Sequence, residues 1–338
     1  MVEENTPKVS VVMSVYKERI DWLRTSIESI LQQTFSDFEF IIICDNPLYD
    51  EGFSVLKKYQ ANDNRIIIIK NEENIGLTKS LNKGLTIANG EYIARMDADD
   101  ISMKNRFEVQ IDFLRNNPEI VACGSFITVI NEKGEKIENR TLSKSPQQIR
   151  ENLIFSSPIA HPAAMFKRVL NGEPVKYNEN RRYSQDYALW VSLAANHDLA
   201  NVPEYLLCYR ESNVQISSKN HKEQQLCARQ NSEDAINALG LILSETEKNV
   251  IYGMTRDDSI FLSIQEIEQA ITNIYANNYN NKKVNIKKIL RHLVLVYCNY
   301  LPKHMNLFSA LYHFLGISFK TRCFDSYSVL SLINKYRN

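Results

Sequence analysis

The first hundred residues change hydrophobic period again and again, and this limits the fold more than any other feature. Val9 to Val15 reads VSVVMSV, a continuous run rich in β-branched residues. Leu23, Ile27, Ile30 and Leu31 then recur at helical spacing. FEFIIIC, a helical stretch near Val55 to Tyr59, RIIIIK, the helix-like LTKSLNKGLTIA and EYIARMD continue the alternation through a fourth strand. Strands apolar on both faces belong in a parallel sheet covered by helices, and such sheets bind ligands beyond the carboxyl ends of their strands. The predicted class is therefore α/β. The informative residues are those directly after each strand: Tyr16, Lys17 and Glu18; Asp45 and Asn46; Asn71 to Asn74; Asp97 to Asp100.

The last group lies in ARMDADD, with three carboxylates in four positions. Asp97 and Asp99 are spaced i, i+2, so a turn leaving the strand can aim both into one crevice. There a cation relieves their repulsion, and oxygen-only ligands imply Mg²⁺ or Mn²⁺. An isolated D-x-D is more often a solvated acidic turn capping a following helix, here near Lys104. Placement after a fourth buried strand shifts the reading toward a site.

Total charge excludes little: 40 basic residues face 40 acidic ones, which gives no sign of a nucleic-acid partner. The distribution is uneven. Residues 1–268 carry 30 basic and 39 acidic residues, whereas Gln269 to Phe324 holds no acid and eight bases: Lys282, Lys283, Lys287, Lys288, Arg291, Lys303, Lys320 and Arg322. The six cysteines include no C-x-x-C pair, and MVEENTPK has no basic n-region, so a reduced, cytoplasmic protein is expected. The longest apolar tracts, such as HLVLVYCNYL, fall short of the roughly 20 residues of a membrane span.

VSVVMSVYKE, IIICDN with Asp50 following, NIGLTKSLNKGL, GEYIARMDADD, NRFEVQ, HPAAMFKR and SQDYALW come in an order and spacing that resemble the bacterial family 2 glycosyltransferases. The resemblance covers residues 9 to about 217. It implies the GT-A fold, a three-layer α/β/α sandwich with a mostly parallel central sheet. It also implies a nucleotide-sugar site built from Tyr16, Glu18, Asp45, Asn74, Gly76, Arg95, Asp97 and Arg210. In this pattern Asp45 meets the base, Asp97 the ribose, Asp99 a divalent metal on the diphosphate, and Asp186 is the catalytic base. The implied reaction is metal-dependent, inverting transfer of a hexose from a nucleotide diphosphate sugar, read as a UDP-hexose, giving a β-glycoside. The implied acceptor is a polyprenyl-diphosphate-linked saccharide in surface polysaccharide, O-antigen or capsule assembly.

Asp186 opens the helical pattern Tyr187, Leu189, Trp190, Leu193, where a carboxylate also suits the helix dipole. Gln185 replaces the usual acid before the base, D-N-P-L-Y-D replaces D-D-G-S-T-D, and Ser212 stands where a histidine is frequent. Arg210 either reaches the diphosphate or makes a structural ion pair. His161, before Pro162, either faces the acceptor or is a hydrogen-bonded structural histidine. Trp190 reads as core. The alternative functions are a nucleotide-sugar-binding protein without turnover and a haloacid-dehalogenase-type phosphatase. In the latter, however, D-x-D follows the first strand and continues to Thr or Val rather than Ile101.

Two regions are expected: a transferase domain at 1–220, with a nucleotide-sugar half to about residue 100 and an acceptor half beyond it, and a helical region at 221–338. HKEQQLCARQNSEDAINALGLIL and SIQEIEQAITNIYANNY read as helices, with ANNYNNKK as a turn. From Lys283, a cationic line of Lys283, Lys287 and Arg291 accompanies an apolar stripe of Ile286, Ile289, Leu290, Leu293, Val296, Tyr297 and Tyr300. This helix is expected either to pack internally or on a second subunit, or to hold the protein on the anionic inner face of the cytoplasmic membrane.

Overall fold

The computed structural model describes residues 6–212, 221–255, 262–301, 307–321 and 332. Lys303, Arg322 and Cys323, and the side chain of Tyr300, lie outside the described set. The described residues form two compact units. One runs through residue 149 and from 157 to 227; the other combines 150–156 with the chain from 228 onward.

The four apolar runs become β1 (Val9–Val15), β2 (Phe38–Cys44), β3 (Ile66–Lys70) and β4 (Tyr92–Asp97), all parallel. Then come β5 (Ile101–Ser102), β6 (Ile120–Ile130), β7 (Lys136–Arg140) and β8 (Met165–Lys167), a separate ribbon of β9 (Val169–Leu170) and β10 (Glu173–Pro174), and β11 (Asp198–Arg210). The large sheet has the order β3-β2-β1-β4-β8-β6-β11-β5, with β7 on β6. β8 is antiparallel between β4 and β6, whereas β6 and β11 pair in parallel. Every residue of β1 and β2 is buried, which explains why neither strand alternates polar with apolar residues.

Helices cover both faces, as expected for a three-layer α/β/α sandwich. α1 (Ile20–Leu31), α2 (Asp50–Asn62) and α4 (Arg106–Asn116) share one core with Val11, Met13, Phe40 and Ile42 through Leu23, Ile27, Leu56, Phe107 and Ile111. α3 (Leu77–Ile87) packs on the opposite face, where Gly84 meets Val12, Ile41 and Ile43. α5 (Pro146–Asn152) and α6 (Gln185–Ala194) follow later in the chain. After β1 the chain winds outward to β3 and returns to place β4 on the other side of β1. The carboxyl ends of β1 and β4 therefore flank a topological switch point, where open α/β sheets form their crevice.

The second unit is helical: α7 (His221–Ala238, entering it at residue 228), α8 (Glu245–Thr255), α9 (Ile264–Asn278), α10 (Ile286–Tyr300) and α11 (Leu307–Thr321). Ile154 and Phe155 belong to its core with Ile236, Val250, Ile271, Leu290 and Phe314. Ser232 donates to the Ile154 carbonyl, and Glu151 accepts from the Asn285 amide at 3.3 Å. The basic helix starts later than its periodicity predicts. Asn285 caps it by accepting from the Lys287 amide at 3.1 Å, which leaves Lys282 and Lys283 outside, and Lys283 donates to the Ala238 carbonyl at 2.6 Å. Ile286, Ile289, Leu290, Leu293 and Tyr297 are all buried in the helical core. The expectation that this stripe meets a membrane is thereby corrected, because its apolar surface is already covered. Among the described residues, no helix is long and apolar enough to cross a membrane.

Gly84 gives a direct test of the close approach between α3 and the sheet. A Cβ there would lie 2.7 Å from Val12 Cγ1. Alanine improves helix propensity by about 1 kcal/mol, but overpacking costs about 1–3 kcal/mol. Gly84→Ala is expected to lower the urea midpoint in equilibrium unfolding, and to be neutral or stabilising in a Val12→Ala background.

Candidate functional site

The acidic turn after β4 divides its three carboxylates among different tasks. Asp97 lies on the strand end, partly exposed, and ion-pairs with Arg95. Arg95 is 1% exposed, and its Nε and Nη1 have no hydrogen-bond partner among the described residues. Asp99 is half-buried, and burial pushes its carboxyl up to about 6, with Asp97 adding to the shift. Asp100 points inward: Oδ1 accepts the Arg210 amide at 2.8 Å, and burial raises its carboxyl well above the usual range. The crowding noted in the sequence thus resolves into two acids at the crevice and one structural anchor.

Two buried arginines hold this turn from behind. Arg210 Nε donates to the Asp99 carbonyl at 2.8 Å and Nη1 to the Asn131 carbonyl at 3.0 Å, while its guanidinium lies 4.9 Å from the Trp22 ring centroid. Arg106, the first residue of α4, donates through Nη2 to the carbonyls of Arg95 at 2.8 Å and Ala164 at 3.2 Å. Burial lowers its ordinary pKa to about 9. Neither partnership was legible in the spacing, because the acceptors are backbone carbonyls distant in sequence. NRFEVQ was nevertheless a visible motif, and Gln110 at its end donates to the Ala163 carbonyl at 2.8 Å.

On the β1 side, Tyr16 is exposed and its amide donates to Glu18 at 2.9 Å. The Glu18 carboxyl is pushed up to about 7, mainly by burial, with the charges of Asp99 and Asp97 contributing. Glu18, Asp97 and Asp99 therefore share one electrostatic neighbourhood.

After β2, Asp45 is buried and braces the next loop. Oδ1 accepts from Asn71 Nδ2 at 2.8 Å and the Ile75 amide at 3.0 Å; Oδ2 accepts from the Gly76 amide at 2.9 Å. Asn74 Oδ1 also accepts from that amide, at 3.0 Å. Gly76 precedes α3 with φ 85°, the left-handed region that favours glycine. A Cβ at Gly76 would lie 3.9 Å from Arg182 Nε. The exposed Arg182 therefore overhangs this loop, a placement that no periodicity could reveal.

The segment leading to α6 is clamped to α3. Asn82 accepts the Tyr177 amide at 2.8 Å and donates to the Tyr177 carbonyl at 3.0 Å. The Tyr177 hydroxyl meets His161 Nε2 at 2.8 Å. Burial, then Arg95, holds His161 well below its ordinary pKa, so the imidazole is neutral at physiological pH. Trp190, 0% exposed, packs edge-on against Phe166 and His161, which places it in the core as expected. Asp186 occupies the first turn of α6, half-buried. Its Oδ2 accepts from Ser157 Oγ at 3.2 Å, and burial raises its carboxyl, with Asp97 contributing. Ser157 carries no sequence signal of this role.

Residues 10–172 match the family described as glycosyl transferase family 2. An uncharacterized glycosyltransferase of Methanocaldococcus jannaschii is 38% identical over 66% of this chain and 78% of its own length. The chain belongs to glycosyltransferase family 2. The O-antigen biosynthesis glycosyltransferase WbnJ of Escherichia coli is 38% identical over 61% of this chain and 80% of its own. S. aureus TarS 1–349, in its complex with UDP-GlcNAc, shares the fold at a TM-score of 0.57 and 15% identity, covering 98% of this chain and 91% of that one. The α/β unit is accordingly a GT-A glycosyltransferase fold.

The family commonly uses divalent metals, and the donor chemistry here is compatible with one. Among the described residues, no three His, Cys, Asp or Glu side chains converge as a complete metal site. Asp97 and Asp99 carry hard oxygen donors of the kind that Mg²⁺ or Mn²⁺ takes from one or two carboxylates together with substrate phosphates.

The bracing role of Asp45 can be isolated by an isosteric change. In Asp45→Asn only one oxygen remains to accept three N–H groups, and the new amide opposes a donor. Urea unfolding should show a loss of about 1–3 kcal/mol. An unchanged midpoint would show that the loop does not rely on the second oxygen.

Proposed function

We propose that the protein is an inverting hexosyltransferase that moves a sugar from a nucleotide diphosphate donor, read as a UDP-hexose, to a saccharide acceptor. The observation that supports this reading is that Asp97 acts electrostatically on Glu18 and Asp99 from its own side and also on the Ser157-bonded Asp186. The raised carboxyl of Asp186 suits a general base, since burial makes the carboxylate more eager for a proton. In the proposed step Asp186 takes the proton of the acceptor hydroxyl as its oxygen bonds to the anomeric carbon. The carbon–oxygen bond to the diphosphate breaks from the opposite side. The centre inverts, and an α-linked donor gives a β-glycoside.

The donor side is assigned to the Asp45-braced loop with Asn74 and Gly76, and to Tyr16, Glu18 and Asp97 at the strand ends. A Mg²⁺ or Mn²⁺ ion held by Asp99 would supply charge neutralisation at the leaving diphosphate. Arg95 and Arg210 are assigned supporting parts, because Arg95 is buried against Asp97 and Arg210 donates to carbonyls. Arg182 is assigned the diphosphate beside the N-terminus of α3, a reading supported by its nearness to Gly76. The neutral His161–Tyr177 pair forms the acceptor-side wall. A role in surface polysaccharide assembly is supported by the relatives, which include the amylovoran biosynthesis glycosyltransferase AmsE of Erwinia amylovora, 31% identical over 62% of this chain and 79% of its own; a lipid-linked acceptor is what the family resemblance adds to that reading.

A screen of nucleotide sugars with Mn²⁺, following release of nucleoside diphosphate, tests turnover against binding alone. Asp186→Asn should bind donor almost normally and lower turnover by about 10² or more. An equal loss of donor affinity would make Asp186 a binding or structural residue. Arg182→Gln should behave oppositely. Charge-assisted hydrogen bonds contribute about 1.5–3 kcal/mol, so calorimetry should show UDP binding weakened by about ten- to a hundredfold. Undiminished binding would remove Arg182 from the site.

A further inference from the structure

α11 inverts the usual arrangement of a surface helix. Its inner face, Ala310, Phe314, Ile317, Ser318 and Thr321, is buried in the helical core. Its outer face carries Tyr312, Leu315 and Phe319, exposed at 77%, 50% and 87%. These lie at i, i+3 and i+7, one line along the helix, with Lys320 beside Phe319. Single exposed apolar residues are ordinary, but an aligned stripe with two aromatic rings is an interaction surface. The helix before it shows the contrast: α10 turns its apolar stripe inward and exposes Lys287, Lys288 and Arg291.

We propose that the outer face of α11 docks the protein on an anionic lipid bilayer, Tyr312, Leu315 and Phe319 entering the headgroup boundary. Charge selects this occupant. From Gln269 to Phe324 the sequence holds eight basic residues and no acid, and Lys320 stands beside Phe319 on this face, so a second copy opposing it would set like charges against each other. An anionic bilayer instead offers negative charge and apolar depth at the same surface. Glu268, the nearby acid on α9, is already engaged by the Tyr297 hydroxyl at 2.7 Å and by His313 Nδ1 at 2.6 Å. Aromatic rings and a flanking lysine suit the interface, where the ring lies shallow and the ammonium reaches the headgroups. The inference goes beyond the proposed reaction and stands on the helical unit alone.

Sedimentation of the full-length protein with phosphatidylcholine vesicles, with and without phosphatidylglycerol, tests it. Pelleting is expected with the anionic vesicles only, and should fall as salt is raised. The paired change Tyr312→Ser and Phe319→Ser should weaken it by about tenfold or more, with the thermal midpoint and nucleotide-sugar hydrolysis unchanged. Phe319→Trp should retain binding and shift tryptophan emission to the blue on anionic vesicles alone. Equal pelleting with neutral vesicles, wild-type pelleting of the double serine variant, or no emission shift would overturn the proposal. So would a concentration-dependent dimer in sedimentation velocity that Phe319→Ser abolishes, which would assign the face to a second copy. Because hydrolysis is measured separately, failure of the docking surface and failure of the proposed reaction give different results.

Discussion

Negative charge can be concentrated at the end of β4 because buried guanidinium groups hold the backbone around it. Arg106 ties the Arg95 carbonyl to the Ala164 carbonyl, and Arg210 ties the Asp99 carbonyl to that of Asn131. Both arginines are almost wholly buried, so each must satisfy its donors within the protein. Carbonyl acceptors serve this purpose. Asp97 is paired with Arg95, and Arg210 and Arg95 partly offset the burial of Asp99, while the strand beneath the two carboxylates stays fixed.

The rest of the crevice depends on a second kind of constraint, the two-way amide bond between Asn82 and the backbone of Tyr177. It joins α3, which follows the Gly76 loop, to the segment that supplies the His161 partner and then Arg182 and Asp186. One side chain thus couples the loop assigned to the donor with the chain assigned to the acceptor. A neutral His161 fits this arrangement, since a charged imidazole beside Arg95 would be disfavoured by burial and by repulsion.

The first four strands, and α1, α2 and α3, were legible because burial on both faces writes an apolar run and packing on one face writes a helical period. Their register at the switch point follows from the same runs, with Ser14 opposite Asp97. The positions of Asp97 and Asp99 at a strand end and of Asp186 at a helix start were legible because these are local features; the roles proposed for them come from the family resemblance. Arg182, Ser157 and the two arginine braces could not, since each acts through contacts across long sequence separations. The basic helix was found but the cover of its apolar face was left open, because periodicity shows that a face is apolar without showing what covers it. In this protein the helical core covers it, and the uncovered face lies one helix later.

The helical unit has an unusual thread. Seven of its residues, 150–156, precede most of the rest by about seventy positions in the chain. On a ribosome, Ile154 and Phe155 therefore emerge long before α8 to α11, which supply much of the core around them. Until that later chain arrives, two large apolar side chains wait without their native partners, so this segment adds non-local contacts to a unit otherwise built from helices that follow one another. A chain cut near residue 220 would leave them permanently in that state. Shortening this protein to its transferase core would therefore require redesign of residues 150–156, not merely removal of the C-terminal helices.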